Sequence, residues 1–197
     1  MRGLKKRSRS IPASLVAAFL AGALAAPPAA LAQSQAAERA EKLDVLLAEL
    51  AEPGREDWSS IETEIQRLWS QSGSPAMDLL LRRGEEAMQA EDYGAAVEHF
   101  SALIDHAPSF AEAWNARATA FFYMDEYSLS LADIERTLAL NPRHFGALEG
   151  LAAIFEAMEQ PELALDATRA ALAINPNRPS LQETRKRLER ETGATEL

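Results

Sequence analysis

Thirty acidic side chains and three histidines are the groups of this chain that could do chemistry, and their arrangement argues against most of it. General acid–base work needs two carboxylates held in different environments. Here the acids are strewn along solvated helix faces, and no pair stands apart. His99 and His106 are seven residues apart, about 10.5 Å along a helix axis. Two ligands of one zinc need one-turn spacing such as i, i+4. There is no glycine-rich phosphate loop, no nucleophile motif and no cysteine. The chain is therefore expected to be non-enzymatic, with no catalytic residue, no cofactor and no metal. What carboxylates beside apolar side chains can do is recognise a basic, apolar segment of another protein.

Charge narrows the partners further. The formal net charge is −10. Residues 1–32 hold Arg2, Lys5, Lys6, Arg7 and Arg9 and no acid, so without them it becomes −15. Phosphate backbones and anionic lipid both need Lys and Arg, so neither nucleic acid nor a membrane surface is an expected partner. Residues 1–32 read as a secretory signal: a basic start, an apolar run from Ile11 to Ala26, then Ala30-Leu31-Ala32 as a small-x-small cleavage site. Pro27-Pro28 stop that run short of the roughly 20 apolar residues of a membrane span. Without cysteine there is no lipid-bearing residue after the cut and no disulfide. The expected location is periplasmic or secreted, with the mature chain starting at Gln33.

The elements that must position the acids recur every 34 residues. Pro108, Pro142 and Pro176 keep that step. So do Leu80, Trp114 and Leu148; Gly84, Ala118 and Ala152; Ala87, Phe121 and Phe155; and Ala96, Ser130 and Ala164. This is the period of a two-helix unit that stacks into a solenoid. Alanine and leucine dominate and no stretch alternates convincingly, so the chain is expected to be all-α. Repeats fall at about 77–110, 111–144 and 145–178, within a repeat region spanning 75–178. Ser74 and Pro75 are expected as N-cap and first helical residue. Turns are expected at Asp92-Tyr93-Gly94, Glu126-Tyr127-Ser128 and Gln160-Pro161-Glu162. Tyr93 and Tyr127 should pack across theirs, and Pro161, which replaces that tyrosine, should give the third a different turn.

Residues 33–74 precede the repeats as a helical pair, either a decayed repeat or an N-terminal cap. Gln33–Ala37 reads as a flexible lead. Leu43, Leu46, Leu47 and Leu50 form an amphipathic stripe, Pro53-Gly54 breaks it, and Ser59 with Glu62 suggests a capping box. Ile61, Ile65, Leu68 and Trp69 give the second helix its apolar face, and Gly73 ends it. Residues 179–197 form a C-terminal capping helix with Leu181 and Leu188 inward, followed by a tail.

These columns resemble the tetratricopeptide repeat (TPR) family, whose pattern is aromatic-x2-Leu-Gly-x2-Tyr, then Ala-x3-Phe, then Pro. Repeat one carries Leu80, Gly84, Ala87, Ala96, Phe100 and Pro108; repeat two Trp114, Ala118, Phe121, Ser130, Ile134 and Pro142; repeat three Leu148, Ala152, Phe155, Ala164, Thr168 and Pro176. The resemblance covers about 100 residues. It implies a right-handed α-solenoid of helix-turn-helix repeats, used as a protein–protein interaction scaffold or adaptor.

It also implies a concave groove lined by the first helix of each repeat. The inward positions are Asp78, Leu81, Glu85 and Met88; Glu112, Asn115, Thr119 and Phe122; Gly146, Glu149, Ala153 and Glu156. Five of the twelve are acidic and none is basic. Leu81, Met88 and Phe122 add an apolar patch, while Arg82, Arg143 and His144 flank the set. Phe121 is assigned to the core and Phe122 to the groove. The family's clamp for C-terminal carboxylates would need cations and Asn at Leu81, Glu85, Ala116, Gly146 and Gly150, and none matches. Arg117 and Asp133 are expected to form a structural ion pair between the two helices of repeat two. An alternative to the adaptor is a self-associating envelope module, a homo-oligomer joined through the apolar residues of 43–69.

Overall fold

The computed structural model describes residues 28–194, with side chains from Ser34 onward, and contains nine helices and no strand among them. The basic start, the apolar run and residues 195–197 lie outside the described residues. The first helix, α1, spans Pro28–Leu50 and so takes in Gln33–Ala37, expected as a flexible lead. It is followed by α2 (Trp58–Trp69), α3 (Pro75–Gln89), α4 (Tyr93–His106), α5 (Ala111–Tyr123), α6 (Tyr127–Leu140), α7 (Phe145–Ala157), α8 (Pro161–Ile174) and α9 (Pro179–Thr192). No described helix is long and apolar enough to cross a membrane.

The repeats are the pairs α3–α4, α5–α6 and α7–α8, each helix packing on the next, with α3 also touching α5 and α5 touching α7. The small column is where paired helices meet. A Cβ on Gly84 would lie 2.2 Å from Phe100 Cε1, so glycine is required opposite the phenylalanine. In repeat two the facing residues are Ala118 and Ile134, both buried. α9 begins 34 residues after α7 and closes the stack, burying Leu181 and Leu188 against the third repeat.

The turns inside the repeats fall earlier than the sequence suggested. Glu91, Asp125 and Glu159, again 34 apart, hold φ of 57°, 58° and 57°. The next amide in each case bonds back five residues, Asp92 to Ala87 O, Glu126 to Phe121 O and Gln160 to Phe155 O, at 2.9, 2.9 and 2.8 Å. This is the Schellman ending, with a left-handed residue just past the helix. Tyr93, Tyr127 and Pro161 are then the first residues of their helices. Proline suits that position, where no amide partner is needed, so the third turn is the same as the others and not a different one.

The second helix also starts earlier than expected. Asp57 precedes Trp58 at its N-terminus, so Ser59 is already helical and there is no capping box. Glu62 is instead buried and bonded to Asn175.

Nor does the α1–α2 pair stack on the outer face of repeat one, whose core cluster draws no residue from either helix. Leu47, Leu50, Ile61 and Ile65 bury themselves with Phe145 of α7, and Leu43, Leu46, Trp58, Trp69 and Ile174 pack around them. The hairpin lies across repeats two and three. Its leucine and tryptophan side chains in that cluster are packed within the chain, with Val45 staying exposed, and this packing removes the observation that favoured a self-associating module.

Candidate protein-binding surface

The helices α3, α5 and α7 present the twelve expected groove residues, and the structure divides them into three groups. Two are not available to a ligand. Leu81 is 3% exposed and belongs to the core of repeat one. Asp78 turns to the loop before its own helix, accepting from the Ser72 amide at 2.9 Å and the Ser72 hydroxyl at 2.6 Å.

Phe122 is half-buried, packing on the core of Ala118, Ile134, Ala147 and Ile154 and on the rings of Tyr123 and Tyr127. Phe121 belongs to none of these clusters and lies under the Arg117 guanidinium, 5.7 Å from ring centroid to Cζ. The expected contrast of a core Phe121 and a free Phe122 is thus corrected. Phe122 is both core edge and cleft wall.

A second group forms an open half, towards the C-terminal ends of α3, α5 and α7. Thr119, Phe122, Tyr123, Gly150 and Ala153 line a cleft of about 90 Å³ between α5 and α7. Met88 packs half-buried on the neighbouring repeat-one core, and Glu85 is exposed. The residue as a whole is open to solvent, but partial desolvation of its carboxyl, reinforced by the Glu112 carboxylate, pushes Glu85 above the usual carboxylate range, with Arg82 pulling the other way. A carboxyl raised by a neighbouring carboxylate is a receptive place for a cation. Glu156, at the far end, is ion-paired with Arg187 of α9.

The third group lies at the N-terminal ends of these helices, under the hairpin. Glu112 bonds the His144 ring at 3.0 Å and Asn115 Nδ2 at 3.3 Å. His144 is 3% exposed. Its Nδ1 accepts from the Ala147 amide at 3.1 Å, capping α7, so its proton sits on Nε2 and is donated to Glu112. The ring stacks on Trp69 with centroids 4.6 Å apart. His144 is therefore a structural cap and not a groove cation.

Glu149 is ion-paired with Arg178, which also holds Glu62 at 3.3 Å. Burial raises the Glu149 carboxyl against the pull of Arg178, and Glu62 adds to the rise. Gly146 sits beside the His144 ring. The flanking Arg143 is engaged with Asp44 of α1 at 2.5 Å.

Arg117 and Asp133 form the expected ion pair, two bonds of 2.7 and 2.9 Å, with Ser101 Oγ as a third partner of the guanidinium. The three histidines do not converge, and no group of three or more metal-ligating side chains occurs among the described residues. The α2 residues on this face, Glu62, Ile65 and Trp69, were missed as inner-face residues. Their spacing of three and four along one helix was the available signal.

Residues 81–122 and 115–179 match the family model described as tetratricopeptide repeat. A TPR repeat-containing protein of Rhizobium etli is 38% identical over 144 residues, covering 73% of this chain and 71% of the relative. The small glutamine-rich tetratricopeptide repeat-containing protein 2 of Saccharomyces cerevisiae is 28% identical over 120 residues, 61% of this chain but 34% of that protein. Among solved structures, the first TPR of Spaghetti (RPAP3), bound to an HSP90 peptide, superposes with TM-score 0.57 at 19% identity, over 59% of this chain and 93% of that one. MamA gives 0.57 at 18%, over 71% and 85%. At such identities these structures speak for the fold alone.

Proposed function

The chain belongs to the tetratricopeptide repeat family, whose domains generally mediate protein–protein interaction, and from that premise we propose that it is a non-enzymatic adaptor of the cell envelope. Its open half-groove takes a basic, apolar segment of a partner protein. The observation that carries the reading is that the open half sets the Glu85 carboxyl, raised by desolvation and by repulsion from Glu112, on the same helices' inner face as the apolar cleft of Phe122, Tyr123 and Ala153. A partner Lys or Arg would relieve that repulsion while an apolar neighbour enters the cleft. A domain of the same fold, that of Spaghetti, was solved with a bound HSP90 peptide, so this fold has room for a peptide segment.

A photo-crosslinking side chain at exposed Thr119, expressed in cells, tests it. The crosslinked segment should be rich in Lys or Arg and apolar residues, the yield should fall with Glu85→Lys, and the same group at Glu135 should stay silent. Equal capture at Glu135, or a segment without cations, refutes the reading. Export belongs to the proposal too: sequencing of the chain recovered from the envelope should begin at Gln33, and a start at Met1 would count against it.

A further inference from the structure

A set of cations and amides is gathered at the other end of the groove. Arg143, Asn175, Asn177 and Arg178 occupy the connections after α6 and α8, and all four face the hairpin. Arg178 and Asn175 hold the buried Glu62 carboxylate, at 3.3 and 2.9 Å. Arg143 holds Asp44. The single Asn177 side chain serves three backbone groups of the α1–α2 turn, donating to Leu50 O at 3.1 Å and Glu52 O at 2.8 Å and accepting from Gly54 N at 2.7 Å.

Apolar contact accompanies these bonds. Phe145, 1% exposed, is buried by Leu47, Leu50, Ile61 and Ile65 of the hairpin. The geometry is that of a helix laid across the repeats. Glu62 meets Arg178, the residue before α9, and Trp69 meets His144, the residue before α7. Seven residues of α2 span about 10.5 Å, which matches the 8–10 Å between packed helix axes. Two turns of α2 therefore advance by one step of the stack.

We propose that this is a second binding surface, one that takes an amphipathic helix bearing a carboxylate, and that the chain's own α1–α2 hairpin is its resident occupant. A partner with a helix of the same chemistry binds by displacing the hairpin. Its selectivity is opposite to that of the open half, so acidic helices dock at the N-terminal ends of α7 and α9 and basic segments at the far ends. The hairpin suits such exchange. Its core cluster, completed by Phe145 of α7 and Ile174 of α8, shares no residue with that of repeat one, and the hairpin joins α3 through the short segment 70–74. The inference does not depend on the open half binding anything.

The test uses the full chain and, as probe, a labelled synthetic peptide of residues 38–70. In the unmodified protein the resident hairpin competes, so the peptide should bind weakly. Glu62→Arg sets a cation against Arg178 and should open the hairpin. Hydrogen exchange should then lose protection in 38–69 while α3–α9 stay protected, and the peptide should bind at least tenfold more tightly. Arg178→Glu added to that variant should abolish the gain. If Glu62→Arg disturbs the repeats, Asn177→Ala, which places no charge in the core, is read in the same way.

Two results overturn the proposal. Protection lost from 38–69 and α3–α9 together in Asn177→Ala would make the hairpin an inseparable part of the core. An opened hairpin whose site ignores the peptide would mean that the surface recognises nothing.

Discussion

Gly84 and Phe100 offer the sharpest test of how the repeats are packed. A Cβ added at Gly84 would stand 2.2, 2.5 and 2.6 Å from Cε1, Cδ1 and Cζ of the Phe100 ring. Carbon contacts are comfortable at about 3.5–4.0 Å, so the ring must retreat by roughly an ångström. It has nowhere to go, since Phe100 is 1% exposed among Leu81, Ala96, Leu103 and Ile104. Overpacking of this kind costs about 1–3 kcal/mol. Alanine recovers about 1 kcal/mol of helix propensity over glycine, which leaves Gly84→Ala destabilised by up to about 2 kcal/mol.

Repeat two shows the compensating pair, Ala118 facing Ile134. Phe100→Ile alone leaves a cavity and should cost roughly 1–2 kcal/mol. Transplanting both residues, Gly84→Ala with Phe100→Ile, should cost less than the sum of the singles by about 1–2 kcal/mol, a coupling typical of residues in contact. Urea unfolding followed by far-ultraviolet circular dichroism measures all four corners of the cycle. Gly150→Ala is the control, because its Cβ would meet only the flexible Ile134 Cδ1, at 3.3 Å; it should be neutral or stabilising by up to about 1 kcal/mol. Gly84→Leu should be worse than Gly84→Ala. A stabilising Gly84→Ala, or a cycle with no coupling, would show that the glycine does not answer the phenylalanine.

Three other outcomes are expected. Asp125→Gly should stabilise by about 1 kcal/mol, because Asp125 holds φ 58° where an L side chain is strained; an unchanged urea midpoint would remove the strain argument. Asp133→Ala should cost about 3 kcal/mol by leaving Arg117 facing an emptied, mostly buried site, and Arg117→Met in the same chain should recover much of that; if the double variant is no better than the single, the loss is one of packing. The folded state keeps the proton of Glu85 above the pH at which the unfolded chain releases it. That side chain therefore weakens the fold as pH rises through and beyond the usual carboxylate value, about 4.3. Glu85→Gln should gain on the unmodified protein as pH rises above the usual carboxylate value, whereas parallel stability curves would mean that desolvation and Glu112 do not act on it.

The stacking was legible because each repeat answers the same steric question at the same position. Small residues at Gly84, Ala118 and Ala152 can lie only where helices approach closely. Two local features hid behind atypical residues. The turn that usually advertises itself with glycine carries Glu91, Asp125 and Glu159, so the boundary was read two residues late from the tyrosines that follow. Ser59 and Glu62 imitate a capping box by spacing alone, and nothing nearby in sequence reveals that Glu62 is needed 113 residues away, by Asn175.

The placement of the hairpin was the largest element not legible, for a related reason. Periodicity reports contacts that repeat, and the docking contacts occur once. Where Phe110, His144 and Arg178 share a position before successive first helices, three different chemistries occupy one column, which a purely structural role would not call for. Phe110 lines the edge of a cleft with Leu68 and Trp69, His144 stacks on Trp69, and Arg178 takes Glu62. Phe110 and His144 meet the last turn of α2, and Arg178 meets Glu62 two turns earlier. A column that varies in register with one crossing helix is the imprint of that helix on the repeats. The N-terminal ends of α5, α7 and α9 are therefore shaped for a particular occupant, while the C-terminal ends of α3, α5 and α7, with Glu85 and the Phe122 cleft uncovered, keep the surface that no part of the described chain fills.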